Sequence, residues 1–283
     1  MLRRTAMTQS KSLQMLPDNL EDQQLPTLPV HANIEHVAPN SCLQSALFGL
    51  IEKGTRKYVK QQKVASLNGI EIWYTGEQLD QSDLDVFLHA IHLTTDKKNI
   101  QPGNAVRFSM NGFLAATGKT VGGSGEKWLM GVIDRLAANM VYIEVPDSYT
   151  GKRQMYGGSL IHDFYYDYKT ETYSLRLNGS LGALFERGWT SVQWEQRVSL
   201  SNNLSKWLHG FYNSMQTIFP MQVSKLLELS GSSCGRLSDF RRALRRSLDN
   251  LVEVGALKSW TIDNEDKIHI VRLQTKKVIE KPV

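Results

Sequence analysis

Five arginines, Arg236, Arg241, Arg242, Arg245 and Arg246, fall within eleven residues that hold a single acid, Asp239. A guanidinium keeps its charge and presents planar donors, so it pairs with phosphate oxygens or reads guanine O6 and N7 through two hydrogen bonds. At about 100° per residue, Ser238, Arg241, Arg242, Arg245 and Arg246 spread over one side of a helix. Leu237, Phe240, Leu244, Leu248 and Leu251 form a narrow stripe on the other. Ordinary solvated faces mix signs at spacings that allow i,i+4 pairs, whereas like charges this dense repel unless a polyanion lies opposite. The chemistry is that of duplex DNA binding. Arg241, Arg242 and Arg245 are expected at base edges or the phosphates beside them, with Arg236, Arg246, Lys225 and Ser238 on the backbone.

Other constellations resemble catalytic sites without completing one. Gly118-Lys119-Thr120 has the ending of a phosphate-binding loop, but Phe113 stands where that loop requires its first glycine. His89 and His92 stand three apart on a helix, and no carboxylate or thiol completes a metal set. His162 with Tyr165 and Tyr166 suggests a tyrosine nucleophile beside a metal, yet the necessary second histidine is missing and the residues alternate as a strand does. Glu77, Asp80, Asp83 and Asp85 gather at a helix start, where acids favour the positive end of the dipole. No catalytic residue, metal site or cofactor is expected.

The arginine helix needs a scaffold. Met221–Ser230 is a short helical pattern and Gly231–Gly235 a turn; the helix Ser238–Gly255 follows, with Ser238 as N-cap and Gly255 as the C′ residue. Residues 256–262 and 268–273 then alternate as two strands around a polar turn. Lys258 lies on the first strand and Lys267 at the tip, both placed to reach a flanking groove. An upstream helix, carrying Leu204, Trp207, Leu208, Phe211, Tyr212 and Met215, is separated by Pro220. The order is that of a winged helix-turn-helix.

The first half repeats the plan. Arg56–Leu67 and Ile70–Thr75 flank Asn68-Gly69, the preferred pair of a two-residue hairpin; a helix runs from about Gln81 to Leu93. Ser109 caps a small helix, Asn111–Thr117, and a glycine-rich turn leads to a helix Glu126–Met140 buried through Leu129, Val132, Ile133, Leu136 and Met140. Val141–Val145, Leu160–Tyr168 and Tyr173–Leu177 follow as strands. Lys119, Ser124, Lys127 and Arg135 face outward towards phosphates, and Lys152 and Arg153 sit at a hairpin tip. The fold class is α+β: two tandem winged helix-turn-helix domains, residues 41–195 and 196–283, behind a disordered N-terminal tail, residues 1–40, with ordered structure from about Ser45.

The net charge is +5, and residues 236–283 hold eleven Lys and Arg against seven Asp and Glu. Most of the net positive charge therefore lies beside the arginine helix, as phosphate binding requires. Two cysteines, Cys42 and Cys234, suggest neither a disulfide framework nor a zinc site. No apolar run reaches membrane-spanning length and no secretory signal is visible, so a cytoplasmic protein without membrane contact is expected.

With these elements in place, the sequence resembles the TrfA-type family of plasmid replication initiators from about Pro39 to Arg272. The likeness rests on Ser45-Ala46-Leu47-Phe48, on Ile72-Trp73-Tyr74-Thr75-Gly76-Glu77-Gln78-Leu79, on the helices from Ser205, and on Arg241–Gly255 with Leu257 and Trp260. The resemblance implies binding of direct repeats (iterons) at a plasmid origin, opening of adjacent duplex, and recruitment of the host initiator and replicative helicase, without nucleotide hydrolysis or nicking. It implies monomer–dimer self-association through the first domain and autorepression. It also implies a peptide for the replicative sliding clamp; here Gln24-Leu25-Pro26-Thr27-Leu28 departs from the family pattern, so a weak contact is expected. The alternatives are a two-domain winged-helix transcriptional repressor, which requires a palindromic operator, and a metal-dependent nickase.

Overall fold

The computed structural model describes residues 36–67, 70–95, 105–146, 153–169, 172–185 and 188–273. The Gln24–Leu28 peptide, the Asn68-Gly69 turn and Lys152 lie outside the described residues. In chain order the first half comprises β1 (His36–Pro39), α1 (Asn40–Leu43), β2 (Phe48–Gly49), β3 (Tyr58–Val64), β4 (Glu71–Glu77), β5 (Leu79–Asp80), α2 (Gln81–Thr95), β6 (Val106–Ser109), α3 (Met110–Ala116) and α4 (Gly123–Ala137). It continues with β7 (Met140–Pro146), β8 (Arg153–Gly158), β9 (Ile161–Asp167), β10 (Thr172–Leu177), α5 (Gly182–Phe185) and β11 (Trp189–Val192). After α6 (Trp194–Ser199) come α7 (Asn203–Ser214), β12 (Met221–Gln222), α8 (Val223–Leu229), α9 (Leu237–Glu253), β13 (Leu257–Ile262) and β14 (Lys267–Arg272).

Structure begins earlier than Ser45. β1 pairs antiparallel with β11, His36 opposite Val192 and Pro39 opposite Trp189, so all four residues of β1 are buried against the segment joining the two halves. In the sheet β3-β4-β7-β8, Ile72 lies opposite Ile143 and both point inward, as the two-residue period demands. A second sheet, β6-β10-β9, and a third, β12-β14-β13, complete the two halves. Each half has its own apolar core: one runs from Val37 to Val192 and the other from Leu200 to Ile268.

The helix α2 is buried on nearly all sides, with Leu84, Val86, Phe87, Leu88, Ala90 and Ile91 inaccessible. Its acids do more than complement the dipole. Asp80 accepts from the Ser82 and Asp83 amides at 2.8 and 3.2 Å, and Asp83 returns the bond by accepting from the Asp80 amide at 2.9 Å, a reciprocal cap. Asp83 also takes Arg56 at 2.8 Å and Arg135 at 2.7 Å. Asp85 takes Arg197 from α6 at 2.7 Å and the ammonium of Lys206 from α7.

Two boundaries differ from expectation for local reasons. The helix expected over Glu126–Met140 spans Gly123–Ala137, because the Asn139 amide donates to the Arg135 and Leu136 carbonyls at 2.8 and 2.9 Å and closes it. Met140 therefore opens β7 and is exposed instead of joining the buried stripe. Ser238 is not an N-cap. The cap is Arg236, whose carbonyl accepts from Asp239 and Phe240, both at 3.1 Å, with no side-chain bond. The other end is as expected: Gly255 has φ +71° and the Ala256 amide reaches back to the Leu251 carbonyl at 2.8 Å.

His89 and His92 acquire a third histidine. The His36 ring stacks on Trp194 at 3.7 Å and on His92 at 4.1 Å, and His36 Nε2 meets His89 Nδ1 at 3.1 Å. Among the described residues no group of three His, Cys, Asp or Glu is placed to hold a metal. Desolvation, then His92, His89 and Arg197, lowers the His36 pKa to about 2; burial, then His92, lowers His89 to about 4; burial, then Arg197 and Lys206, lowers His209 to about 3. The unfolded chain protonates these rings near pH ~6.5, so their contribution is complete above that pH and is lost as pH falls towards the folded values. Urea unfolding at about pH 5 should show roughly 1–2 kcal/mol less stability per buried histidine than at about pH 7.5. The His36→Phe variant, which keeps a ring against Trp194, should lose less across that interval; equal stability of the native chain at both pH values would refute neutral burial.

Candidate nucleic-acid interface

In the second half, α8, the turn through Gly231 at φ +64°, and α9 form a helix-turn-helix, with β13 and β14 as the hairpin beside it. Phe240, Leu244, Ser247, Leu248 and Leu251 bury one face of α9, which leaves Ser238, Arg242, Arg245 and Arg246 on the exposed face. Arg236 is exposed at the helix start. The apolar spacing of the sequence is thus what turns the guanidiniums outward.

The arginines are not equivalent. Arg241 places Nε and Nη2 on the two carboxylate oxygens of Asp266, both at 2.8 Å. Asp266 occupies the hairpin turn at φ +62°, and its carbonyl accepts from the Val223 amide of α8 at 3.0 Å. The bond to Arg241 holds the Asp266 carboxyl below the usual range and raises the guanidinium in turn. Arg241 therefore clamps the hairpin to the helix-turn-helix. Arg242 pairs with Asp239 one turn back, and Lys225 with Glu228 at 2.9 Å, both at the surface, where such pairs exchange readily for other anions. The side chains of Arg236, Arg245 and Arg246 make no hydrogen bond or ion pair among the described residues.

The hairpin tip differs from the sequence expectation in sign. Lys267 is tied to Glu265. Asp263 accepts from the Glu265 and Lys267 amides, both at 2.9 Å, and meets His269 at 2.7 Å, the last of these being the chief reason its pKa is lowered. Lys267 is thus held by an acid, and among the described residues of the hairpin the exposed cation without an ion pair is Lys258, on β13.

In the first half, α3 and α4 make the corresponding pair. Ser109 caps α3, accepting from the Gly112 amide at 3.2 Å, and Gly118-Lys119-Thr120 is the turn that follows. The Lys119 ammonium lies 4.7 Å from the centre of the Trp128 ring. Ser124 and Lys127 are exposed on α4. Arg135 turns inward, its Nε and Nη2 both on Asp83. Arg153 begins β8. His162, Tyr165 and Tyr166 alternate along β9, where Tyr166 packs on Tyr173 and Tyr165 is exposed.

What the sequence did not reveal is how the two units are joined. The Leu50 amide donates to the Ser230 carbonyl at 2.9 Å, and a Cβ on Gly231 would stand 2.8 Å from that of Ala46. The turn of the second helix-turn-helix therefore rests on the Ser45–Phe48 segment of the first half. No helix among the described residues is long and apolar enough to cross a membrane.

A family model described as TrfA protein matches residues 5–272. Domains 2 and 3 of RctB, in a selenomethionine crystal structure, share 15% identity over 82% of this chain and 98% of that one, with a TM-score of 0.58. The Pi initiator protein, crystallised in complex with iteron DNA, shares 13% identity over 70% of this chain and 93% of that one, with a TM-score of 0.50. No curated protein matches the sequence. The likeness supports the fold: a mixed α and β chain with two winged-helix units in tandem.

Two glycines of α4 test its placement. A Cβ on Gly125 would collide with the Thr120 carbonyl and touch Leu114, whereas one on Gly131 would meet nothing closer than the Arg135 guanidinium at 3.7 Å. Gly125→Ala should cost roughly 1–3 kcal/mol in urea unfolding, and Gly131→Ala should stabilise by about 0.5–1 kcal/mol. The reverse order would refute the position given to the start of α4.

Proposed function

The chain belongs to the TrfA family of plasmid replication initiators, and on that premise we propose that it binds direct repeats at a plasmid origin as duplex DNA. The observation that carries this is the exposed face of α9. Arg236, Arg245 and Arg246 stand there without a side-chain hydrogen bond or ion pair among the described residues, in a fold shared with an initiator that was crystallised on iteron DNA. Arg245 and Arg242 read base edges, Arg242 exchanging Asp239 for the DNA. Arg236, Arg246 and Ser238 hold phosphates, as does Lys225 once it leaves Glu228. Arg241 holds the hairpin in place, and Lys258 reaches the flanking backbone with less help from Lys267.

Lys119, Ser124 and Lys127 engage the same repeat through the first unit. Arg135 does not, because its guanidinium is committed to Asp83, and Lys152 with Arg153 would extend the contact at the β7–β8 turn. Two helix-turn-helix units in tandem suit a site of ~20 bp, about two helical turns. The protein acts by binding: occupied repeats bend, the deformation favours opening of neighbouring duplex, and host initiator and helicase are recruited. A weak clamp contact through Gln24–Leu28 and self-association through the first unit complete the proposal.

Selection from random duplex pools at several salt concentrations tests it. Recovery of one asymmetric site near two turns long is expected; a palindrome would indicate a dimeric repressor instead. On the recovered site, Arg245→Ala should lower affinity roughly ten- to hundredfold while leaving random duplex nearly unaffected. Lys127→Ala should weaken both alike and reduce the salt slope by about 1. Equal losses on both DNAs for Arg245→Ala would move that residue from bases to phosphates.

A further inference from the structure

Three buried side-chain polar atoms have no hydrogen-bond partner among the described residues: His209 Nδ1, the Tyr212 hydroxyl and Arg272 Nε. All three residues line one cavity of about 70 Å³, between the segment carrying Gln193 and Gln196, α7 with Asn213, the end of α9 and the end of β14. An orphaned donor inside a fold is costly, and such groups are rare. Their convergence on one space indicates what the space is for.

The charge there is also unbalanced. Arg272 donates through Nη2 to the Tyr212 and Met215 carbonyls, and among the described residues no carboxylate lines the cavity. Behind His209, Arg197 and Lys206 share the single carboxylate of Asp85. A half-buried guanidinium, with a net positive charge nearby, calls for an anion. There is room for a small group: a water occupies about 30 Å³ of liquid, and this volume accepts three or four heavy atoms.

We propose that the cavity binds a small carboxylate, one oxygen accepting from Arg272 Nε and the other from the Tyr212 hydroxyl. His209 Nε2 lies 3.2 Å from Gln196 Oε1, so the neutral ring offers Nδ1 as an acceptor. The charged groups around that ring are Arg197 of α6, Lys206 of α7, Asp85 of α2 and Arg272 of β14, and the incoming negative charge offsets their net positive field.

Sodium acetate titrated into the full chain at constant ionic strength, with chloride as the balancing anion, tests this through the His209 ring resonances. A saturable shift is expected, half-complete on the order of 1 mM, within the reach of a four-atom ligand. Tyr212→Phe, which keeps the ring and the packing, should abolish the saturation or raise its midpoint at least tenfold, and Arg272→Gln should do the same. A shift that chloride reproduces, or one that survives unchanged in Tyr212→Phe, would overturn the site and leave a cavity that holds water.

Discussion

The structure depends on one buried ion cluster. Asp85 and Arg197 have no exposed side-chain surface, yet both are charged, and Lys206 adds a third ion beside them. Removing such ions from water is expensive and is offset only when every donor and acceptor is satisfied. Arg197 comes close to that: Nε donates to Asp85 at 2.7 Å, Nη1 to the Lys206 carbonyl at 3.1 Å, and Nη2 to the carbonyl and side chain of Gln81 at 3.3 and 3.0 Å. These bonds tie α2 of the first unit to α6 and to α7 of the second. Because α7 also packs Trp207, Leu208 and Phe211 into the second core, the two units share a helix rather than a flexible hinge.

Electrostatics at the surface follows a different rule. The sequence shows a block of like charges, and the structure distributes them by partner. Arg241 is bidentate to an acid whose own backbone is bonded to α8, so its geometry belongs to the scaffold. Arg242 and Lys225 rest on exposed acids, in pairs weak enough to yield to a phosphate. Arg236, Arg245 and Arg246 are left to meet whatever anion approaches. The acidic hairpin tip has the opposite effect: Asp263, Glu265 and Asp266 would repel a phosphate backbone, which favours contact through the helix over contact through the tip.

Local pattern carried much of the fold. The stripe Phe240, Leu244, Leu248 and Leu251 identified α9 and its outward face, and the stripe Leu129, Val132, Ile133 and Leu136 identified α4, because a period of 3.6 is a property of neighbours in sequence. What stayed hidden was non-local. Nothing near Arg135 in sequence announces Asp83, fifty-two residues away, and nothing near Arg241 announces Asp266 across the hairpin. Glu77, Asp80, Asp83 and Asp85 read as a dipole effect because their cationic partners lie elsewhere in the chain. His36, outside the expected ordered region, joins His89 and His92 only through the pairing of β1 with β11. α9 starts two residues before the expected cap, because the Arg236 carbonyl rather than the Ser238 side chain accepts the first amides of the helix.

The shared helix has a consequence for the proposed DNA complex. If α7 and the Ala46–Gly231 contact fix the two helix-turn-helix units relative to each other, the separation of the two recognition helices is a property of the protein. With that separation held, a duplex that does not match it must bend or change twist to meet both. The cost then falls on the DNA and depends on how easily its sequence deforms. Spacing and flexibility of the repeat would be read alongside base edges, and strain placed in bound repeats would be available to the neighbouring duplex, where opening is proposed to begin.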